Sequence, residues 1–372
     1  MRPALPSASS LDTVPSPALV VDLDAARRNV SRVLELCGGP ERWRPHVKTT
    51  KLPELWRLLL EAGVRRFKCA TPRELEHLAR TAQREGVEID VLVAYPHVGP
   101  TLDLVAATAE RHPGLRVGAL VEDPEGARAL PSPLLPWVDL NPGMDRTGLP
   151  LDDEERLAAT LAAVGERLAG LSLYDGHLHQ PDLAAREASV HDLYDQVGIL
   201  LERHVGARMR GLELVTAGTP AFRHALTYEG FSERGLVHTV SPGTVVLHDG
   251  RSEEENPGLG LEPAAWVLAR VVSLPRAGRV TVDAGSKSLA AEAGDPCAQP
   301  LDRPDWRAVA PSEEHLPLDV PLGTSARRGD AVRLFPRHVC PTVNLHEEAV
   351  LLEEGAEPRT VPVAARAHAP WA

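Results

Sequence analysis

WRPHVKTTKLPELWRLLLEAGVRRFKCATPRELEHLARTAQREGVEIDVLVA, residues 43–94, alternates three short strand-type runs with two stretches of helical spacing. The runs are 43–47, 67–70 and 89–94. Between the first two, Leu55, Leu58, Leu59 and Ala62 recur at the interval that lines one face of a helix. The same alternation continues downstream, with strand-type runs at 115–121, 137–140, 171–174, 212–215 and 237–240. Eight strands separated by helices predict an α/β chain whose strands close into a parallel (β/α)8 barrel. An open doubly wound sheet would show the same periodicity, so the alternation alone leaves both open.

The pattern changes near residue 250. GRSEEENPGLGLEP, residues 250–263, is a polar hinge rich in Pro and Gly, and the runs after it are strand-like with frequent turns. Runs at 265–272, 279–283, 331–335 and 349–353 predict an antiparallel β domain. The expected division is a barrel over 18–248 and a β-rich domain over 249–372. Residues 1–22 could join the latter through the early apolar run 18–22.

Composition narrows the classes of function. Of 372 residues, 43% are hydrophobic and 25% charged, which is ordinary for a globular chain. The net charge of −12 disfavours nucleic acid and anionic membrane as partners. No apolar run reaches the roughly 20 residues of a membrane helix, and MRPALPSASSLDTVPSP lacks a signal-peptide core. Four scattered cysteines make no disulfide framework, and a reducing cytoplasm is the expected setting.

The chemistry-bearing residues cluster at predicted strand ends. Lys48 in RPHVKTTK follows the first run, at the C-terminal mouth where barrel enzymes keep their active sites. A desolvated amine there would lose proton affinity and become nucleophilic. A surface lysine in a strand-to-helix loop is the plain alternative. Thr216, Gly218 and Thr219 in VTAGTP, and Gly243 and Thr244 in SPGT, follow the last two runs, where barrels often bind phosphate. Each turn alone is also an everyday loop. Arg146 in NPGMDRTG could meet a phenolate oxygen or instead pair with Asp139 or Asp145. Tyr174 in LYDGHLH could pack on a planar ring or merely sit at the rim. His177 and His179 would share a face if their segment is extended.

A metal signal lies in FPRHVCPTVNLHEE, where His338 and Cys340 would emerge on one side of a strand. Imidazole and thiolate suit Zn²⁺, and two protein ligands would leave positions for water and substrate. A half-buried strand with an incidental cysteine is the other reading. His346, Glu347 and Glu348, like Glu313, Glu314 and His315, read as solvated turns.

Taken in order, PHVKTTK, CATPRELE, NPGMDRTG, YDGHLH, AGTP, SPGT, DAGSKSL, SEEH and HVCPTVNL resemble the D-threonine aldolase and D-serine dehydratase family. These are fold-type III pyridoxal-phosphate enzymes related to alanine racemase, with an added metal site. The likeness runs from about Pro17 to Glu348. It implies pyridoxal 5'-phosphate on Lys48, cofactor contacts from Arg146, Tyr174, Thr216, Gly218, Thr219, Gly243 and Thr244, and a divalent metal on His338 and Cys340. Cys340 matches the zinc-dependent dehydratases rather than the aspartate-bearing manganese aldolases, so zinc is expected and manganese is the alternative. The resemblance further implies a homodimer acting on a small D-3-hydroxy amino acid, by loss of water or by retro-aldol cleavage, with the first preferred. It has departures: Val-Thr precedes AGTP where many relatives are rich in Ser and Gly, and SPGTVVLHD lacks the aromatic residue often found after its Gly-Thr. An amino-acid racemase and a non-catalytic pyridoxal-phosphate-binding protein share the barrel and remain alternatives.

Overall fold

The computed structural model describes residues 11–368. After a first strand, β1 (Ala18–Asp22), and helix α1 (Leu23–Cys37), the chain enters α2 (Pro53–Glu61) and then alternates strands with helices, apart from the paired β5–β6 and α8–α9. The succession is β2 (Arg66–Cys69), α3 (Pro72–Arg84), β3 (Ile89–Val93), α4 (Gly99–Arg111), β4 (Leu115–Val121), α5 (Pro124–Ala129) and β5 (Leu134–Asn141). It continues through β6 (Leu149–Pro150), α6 (Glu154–Val164), β7 (Gly170–Leu173), α7 (Leu183–His204), β8 (Glu213–Thr216), α8 (Phe222–Thr227), α9 (Gly230–Glu233) and β9 (Val237–Val240). Two compact units emerge: residues 33–48, 56–243 and 367–368 form one, and residues 11–32, 49–55 and 244–366 the other.

In the first unit all sheet neighbours are parallel, in the order β2-β3-β4-β5-β7-β8-β9. The strands are short and largely buried on both faces, as helices on one side and a filled interior on the other require. Residues 43–47, expected as a full strand, make only two bridges, Trp43 to Val240 and His46 to Lys68. Pro45 explains this: it has no N–H to give to a ladder. Its carbonyl still accepts from Lys68 N at 2.9 Å, while Arg44 N donates to Val240 O at 2.9 Å and Val47 N to Lys68 O at 2.8 Å. The segment therefore joins β9 to β2, and the sheet closes as a barrel. The open-sheet alternative falls away.

The barrel interior is filled by a tryptophan and a charge network. A Cβ on Gly118 or Gly170 would lie 2.5 Å from the Trp137 ring, so those strands need glycine to let the indole in. Arg44, wholly buried, stacks 5.0 Å from that ring and forks onto Glu213 at 2.8 and 2.8 Å, with Asp90 at 2.8 Å. Thr239 adds a hydroxyl to Glu213 at 2.8 Å.

The second unit continues with α10 (Gly250–Glu255), β10 (Ala265–Arg276), β11 (Arg279–Val282), β12 (Ala298–Pro300), β13 (Arg307–Ala308), β14 (Leu316–Asp319) and β15 (Ala331–Pro336). It ends with α11 (Val339–Leu345), β16 (Glu348–Leu352) and β17 (Arg359–Pro362). The sheet order is β13-β14-β11-β10-β1-β16-β17, with β15 between β10 and β12. Strand β1 does join this sheet, antiparallel to β10 and parallel to β16. Val20, Trp266, Leu268, Val350 and Leu352 form a core over it. The expectation for residues 1–10 lies outside the described residues. No helix among the described residues is long and apolar enough to cross a membrane.

Arg44 supplies the test of this packing. Arg44→Met leaves Glu213 and Asp90 with only their longer pairs to Arg66 and Arg116, at 3.7 Å each, so stability should fall by about 3–5 kcal/mol. Urea unfolding at neutral pH measures it, and a loss below 1 kcal/mol would show the network to be dispensable.

Candidate cofactor and metal site

The loops after the barrel strands carry the residues singled out in the sequence. Lys48 follows the bridged segment and is solvent-exposed at the C-terminal mouth, the surface position that the sequence left open beside a desolvated one. Its neighbour on β2, Lys68, has its proton affinity lowered. Burial is the main cause and takes it to about 8, with Lys48, Arg44 and Arg146 adding repulsion and Asp139 opposing it. Asp139 is itself raised to about 6 by burial, against hydrogen bonds from Thr147, at 2.9 Å, and Ser172. Asp139 therefore faces Lys68, and Arg146 pairs with neither of the aspartates considered in the sequence. Its guanidinium lies over the Tyr174 ring, 4.8 Å from the centroid.

Tyr174 is the hub of the mouth. A Cβ on Gly176 would meet its ring at 2.3 Å, and one on Gly218 at 2.7 Å. Gly143, from the loop after β5, would meet His177 Nε2 at 3.6 Å, so NPGMDRTG and YDGHLH come together. His177 is half-buried and its proton affinity is lowered by that burial, while His179 is exposed and contacts the His177 carbonyl at 2.8 Å. Behind Tyr174, the buried Asp175 accepts from Tyr194 at 2.6 Å. Thr216 turns its hydroxyl onto His238 Nε2 at 2.9 Å.

The two Gly-Thr turns are tight for stated reasons. Ala217 adopts a left-handed backbone, φ 51°, a conformation that turns successive N–H groups toward one point and suits an anion. Its carbonyl is fixed by Ser241 N at 2.9 Å. A Cβ on Gly243 would collide with the His46 carbonyl at 2.2 Å. Anion-ready turns beside Lys48, Lys68 and Arg146 fit a phosphorylated, phenolic aldehyde such as pyridoxal phosphate.

The second unit holds the metal candidates, and here a local reading is corrected. HVC is no strand: His338 caps α11 and Cys340 lies in its first turn. The imidazole and thiol still meet, because one turn of helix start folds them together. Burial disfavours charge on His338, but Cys340, Asp249 and Glu292 outweigh it and raise the imidazole to about 9. Neutral imidazole and thiolate are the donor types that suit a metal ion such as zinc. Glu292 hydrogen-bonds His338 Nδ1. Cys340 Sγ lies within hydrogen-bond reach of Thr49 Oγ1, at 3.0 Å, and Thr244 Oγ1, at 3.4 Å. Among the described residues no three His, Cys, Asp or Glu side chains converge, so the chain offers two donors and leaves the rest of a coordination shell open. The other polar clusters are ordinary surface: Lys287 pairs with Glu313 and Glu314 at 3.0 Å each, and His346 Nε2 meets Ser288 O at 3.0 Å.

Sequence reasoning missed Lys68, Asp139 as its partner, Thr49 and Glu292. A lysine at an inward position of a short apolar strand was the available signal for the first. Because Lys68 sits at about 8 in the folded chain and near 10.5 when unfolded, folding disfavours its proton. Stability should rise as pH climbs from about 8 to about 10.5, by up to about 3 kcal/mol. Lys68→Met should flatten that rise in thermal-unfolding curves; an unchanged slope would show that the strain lies elsewhere.

Comparison with known proteins agrees with this architecture. The family description "Alanine racemase, N-terminal domain" matches residues 21–221, and "Putative serine dehydratase domain" matches residues 264–352. The D-threonine aldolase of Arthrobacter sp. is 27% identical over 369 residues, covering 95% of this chain and 93% of that protein. The D-threo-3-hydroxyaspartate dehydratase of Delftia sp. is 24% identical over 371 residues, covering 90% and 93%. The solved D-threonine aldolase of Filomicrobium marinum superposes with a TM-score of 0.80 at 31% identity, covering 96% of this chain and 97% of that one. The chain thus belongs to the alanine racemase N-terminal domain family, and over 96% of its length it is similar in fold to a solved D-threonine aldolase.

Proposed function

We propose that this protein is a pyridoxal-phosphate-dependent lyase that uses a divalent metal, zinc in our reading, to act on small D-3-hydroxy amino acids. One observation carries the proposal. Thr49, which follows Lys48 directly in the chain, contacts the Cys340 thiol at 3.0 Å, so the covalent chain ties the candidate cofactor amine to the candidate metal donor pair. A 3-hydroxy amino acid needs both, one at its amino group and one at its hydroxyl.

Lys48 would hold the cofactor through its amine. The backbone N–H groups around Gly218, Thr219, Gly243 and Thr244 would take the phosphate, Tyr174 would flank the ring, and Arg146 would face the phenolate oxygen. When bound, the cofactor supplies an electron sink for charge at Cα, and the metal supplies a Lewis acid for the 3-hydroxyl. The chain's own groups then divide the proton work. For loss of water, Lys48 Nζ would take the Cα proton. For carbon–carbon cleavage the proton comes from the 3-hydroxyl, and the half-buried His177, whose burial favours the neutral imidazole, is the base that the mouth provides. The stronger likeness to aldolases weighs toward cleavage, whereas Cys340 weighs toward loss of water.

Purified protein incubated with D-serine, D-threonine and D-threo-3-hydroxyaspartate should yield an oxo acid and ammonia, or glycine and an aldehyde. Lys48→Ala should lower turnover at least 10³-fold and remove the absorbance band that borohydride otherwise reduces, because the covalent nucleophile is gone. Chelation should abolish turnover, and added zinc should restore it. Turnover of none of the three would sink the substrate assignment.

A further inference from the structure

Glu292 lies in the loop between β11 and β12, in the stretch DAGSKSLAAEAG, residues 283–294. Its carboxylate hydrogen-bonds His338 Nδ1, which leaves Nε2 as the ring nitrogen open to a ligand. The loop is clipped to α11 and its flanks at three points. Ser288 O accepts from His346 Nε2 at 3.0 Å, Ala290 N donates to Thr342 Oγ1 at 3.1 Å, and Ala293 O accepts from Arg337 Nε at 3.1 Å. Thr342 in turn donates to the His338 carbonyl at 2.8 Å. The last two clips bracket Glu292 on one strand of chain and His338 on the other. Asp249 secures the same helix start from a third direction, accepting from Val339 N at 3.0 Å.

An exposed carboxylate–imidazole pair contributes little to stability on its own. A metal-bound imidazole, by contrast, gains basicity and a fixed ring angle when its other nitrogen donates to a carboxylate. We propose that Glu292 is a positioning residue: it fixes the tautomer and ring plane of His338 so that Nε2, beside the Cys340 thiol, grips a divalent cation. The inference rests on the reading of His338 and Cys340 as metal donors. Glu292 touches neither substrate nor cofactor in it.

The test is competition for Zn²⁺ between the full-length protein, without substrate, and a chromogenic chelator. Glu292→Ala should weaken zinc binding by roughly 10–100-fold, with Glu292→Gln, which keeps an acceptor without the charge, falling between it and the unaltered protein. Glu313→Gln, an exposed carboxylate in the same unit, should bind zinc like the unaltered protein. Equal affinity for Glu292→Ala and the unaltered protein overturns the proposal. If the unaltered protein binds no zinc, or Cys340→Ala binds it undiminished, the metal reading itself fails and the proposal with it. Because Glu292 is half-exposed, its variants should keep their unfolding midpoint; should Glu292→Ala unfold, Glu292→Gln alone decides by the same comparison.

Discussion

Six residues, 43–48, are hydrogen-bonded along both edges, and this double attachment is what the barrel and its mouth depend on. Arg44 N reaches β9 on one side, and Pro45 O and Val47 N reach β2 on the other. Trp43 adds an indole bond to Pro242 O at 2.9 Å. The proline costs the segment its regular ladder but fixes its backbone, and the guanidinium two residues before His46 is locked among Glu213, Asp90 and Trp137. Lys48 thus leaves a segment held at every preceding step. Its exposed amine stands on one of the most constrained pieces of backbone in the unit.

The barrel interior is unusual in being charged at two levels. Toward the strand starts, Arg44 is matched by two carboxylates and gains more than its desolvation costs. Toward the strand ends, burial shifts both Lys68 and Asp139 toward their neutral forms, with Lys48, Arg44 and Arg146 adding repulsion at Lys68 and the carboxylates of Asp139 and Asp175 opposing it. The first level reads as architecture. The second presents surplus positive charge to whatever anion enters the mouth.

Much of this was legible in the sequence, and the exceptions have physical causes. Alternation of apolar runs with helical spacing located the barrel because parallel strands are buried on both faces. The early run 18–22 announced its place in the second sheet because an apolar strand ahead of the barrel has nowhere else to hide. Short-range periodicity failed where one residue overrides the pattern: Pro45 removed a strand, and His338 capped a helix where an H-x-C spacing implied an extended pair. Long-range partners left no local trace. Nothing in KTTK names Cys340 as the partner of Thr49, and nothing in AAEAG names His338 as that of Glu292.

The place of β1 has a consequence for how the chain is made. That strand is made before every other described strand, yet its neighbours β10 and β16 come only after the whole barrel. All partners of the barrel strands are already synthesised by the time β9 appears, so that unit can consolidate during translation. The sheet of the unit that bears the cysteine–histidine pair must wait, its first strand unmatched, until β10 and β16 have been made. Premature termination would therefore spare the barrel strands and leave an apolar ribbon searching for company.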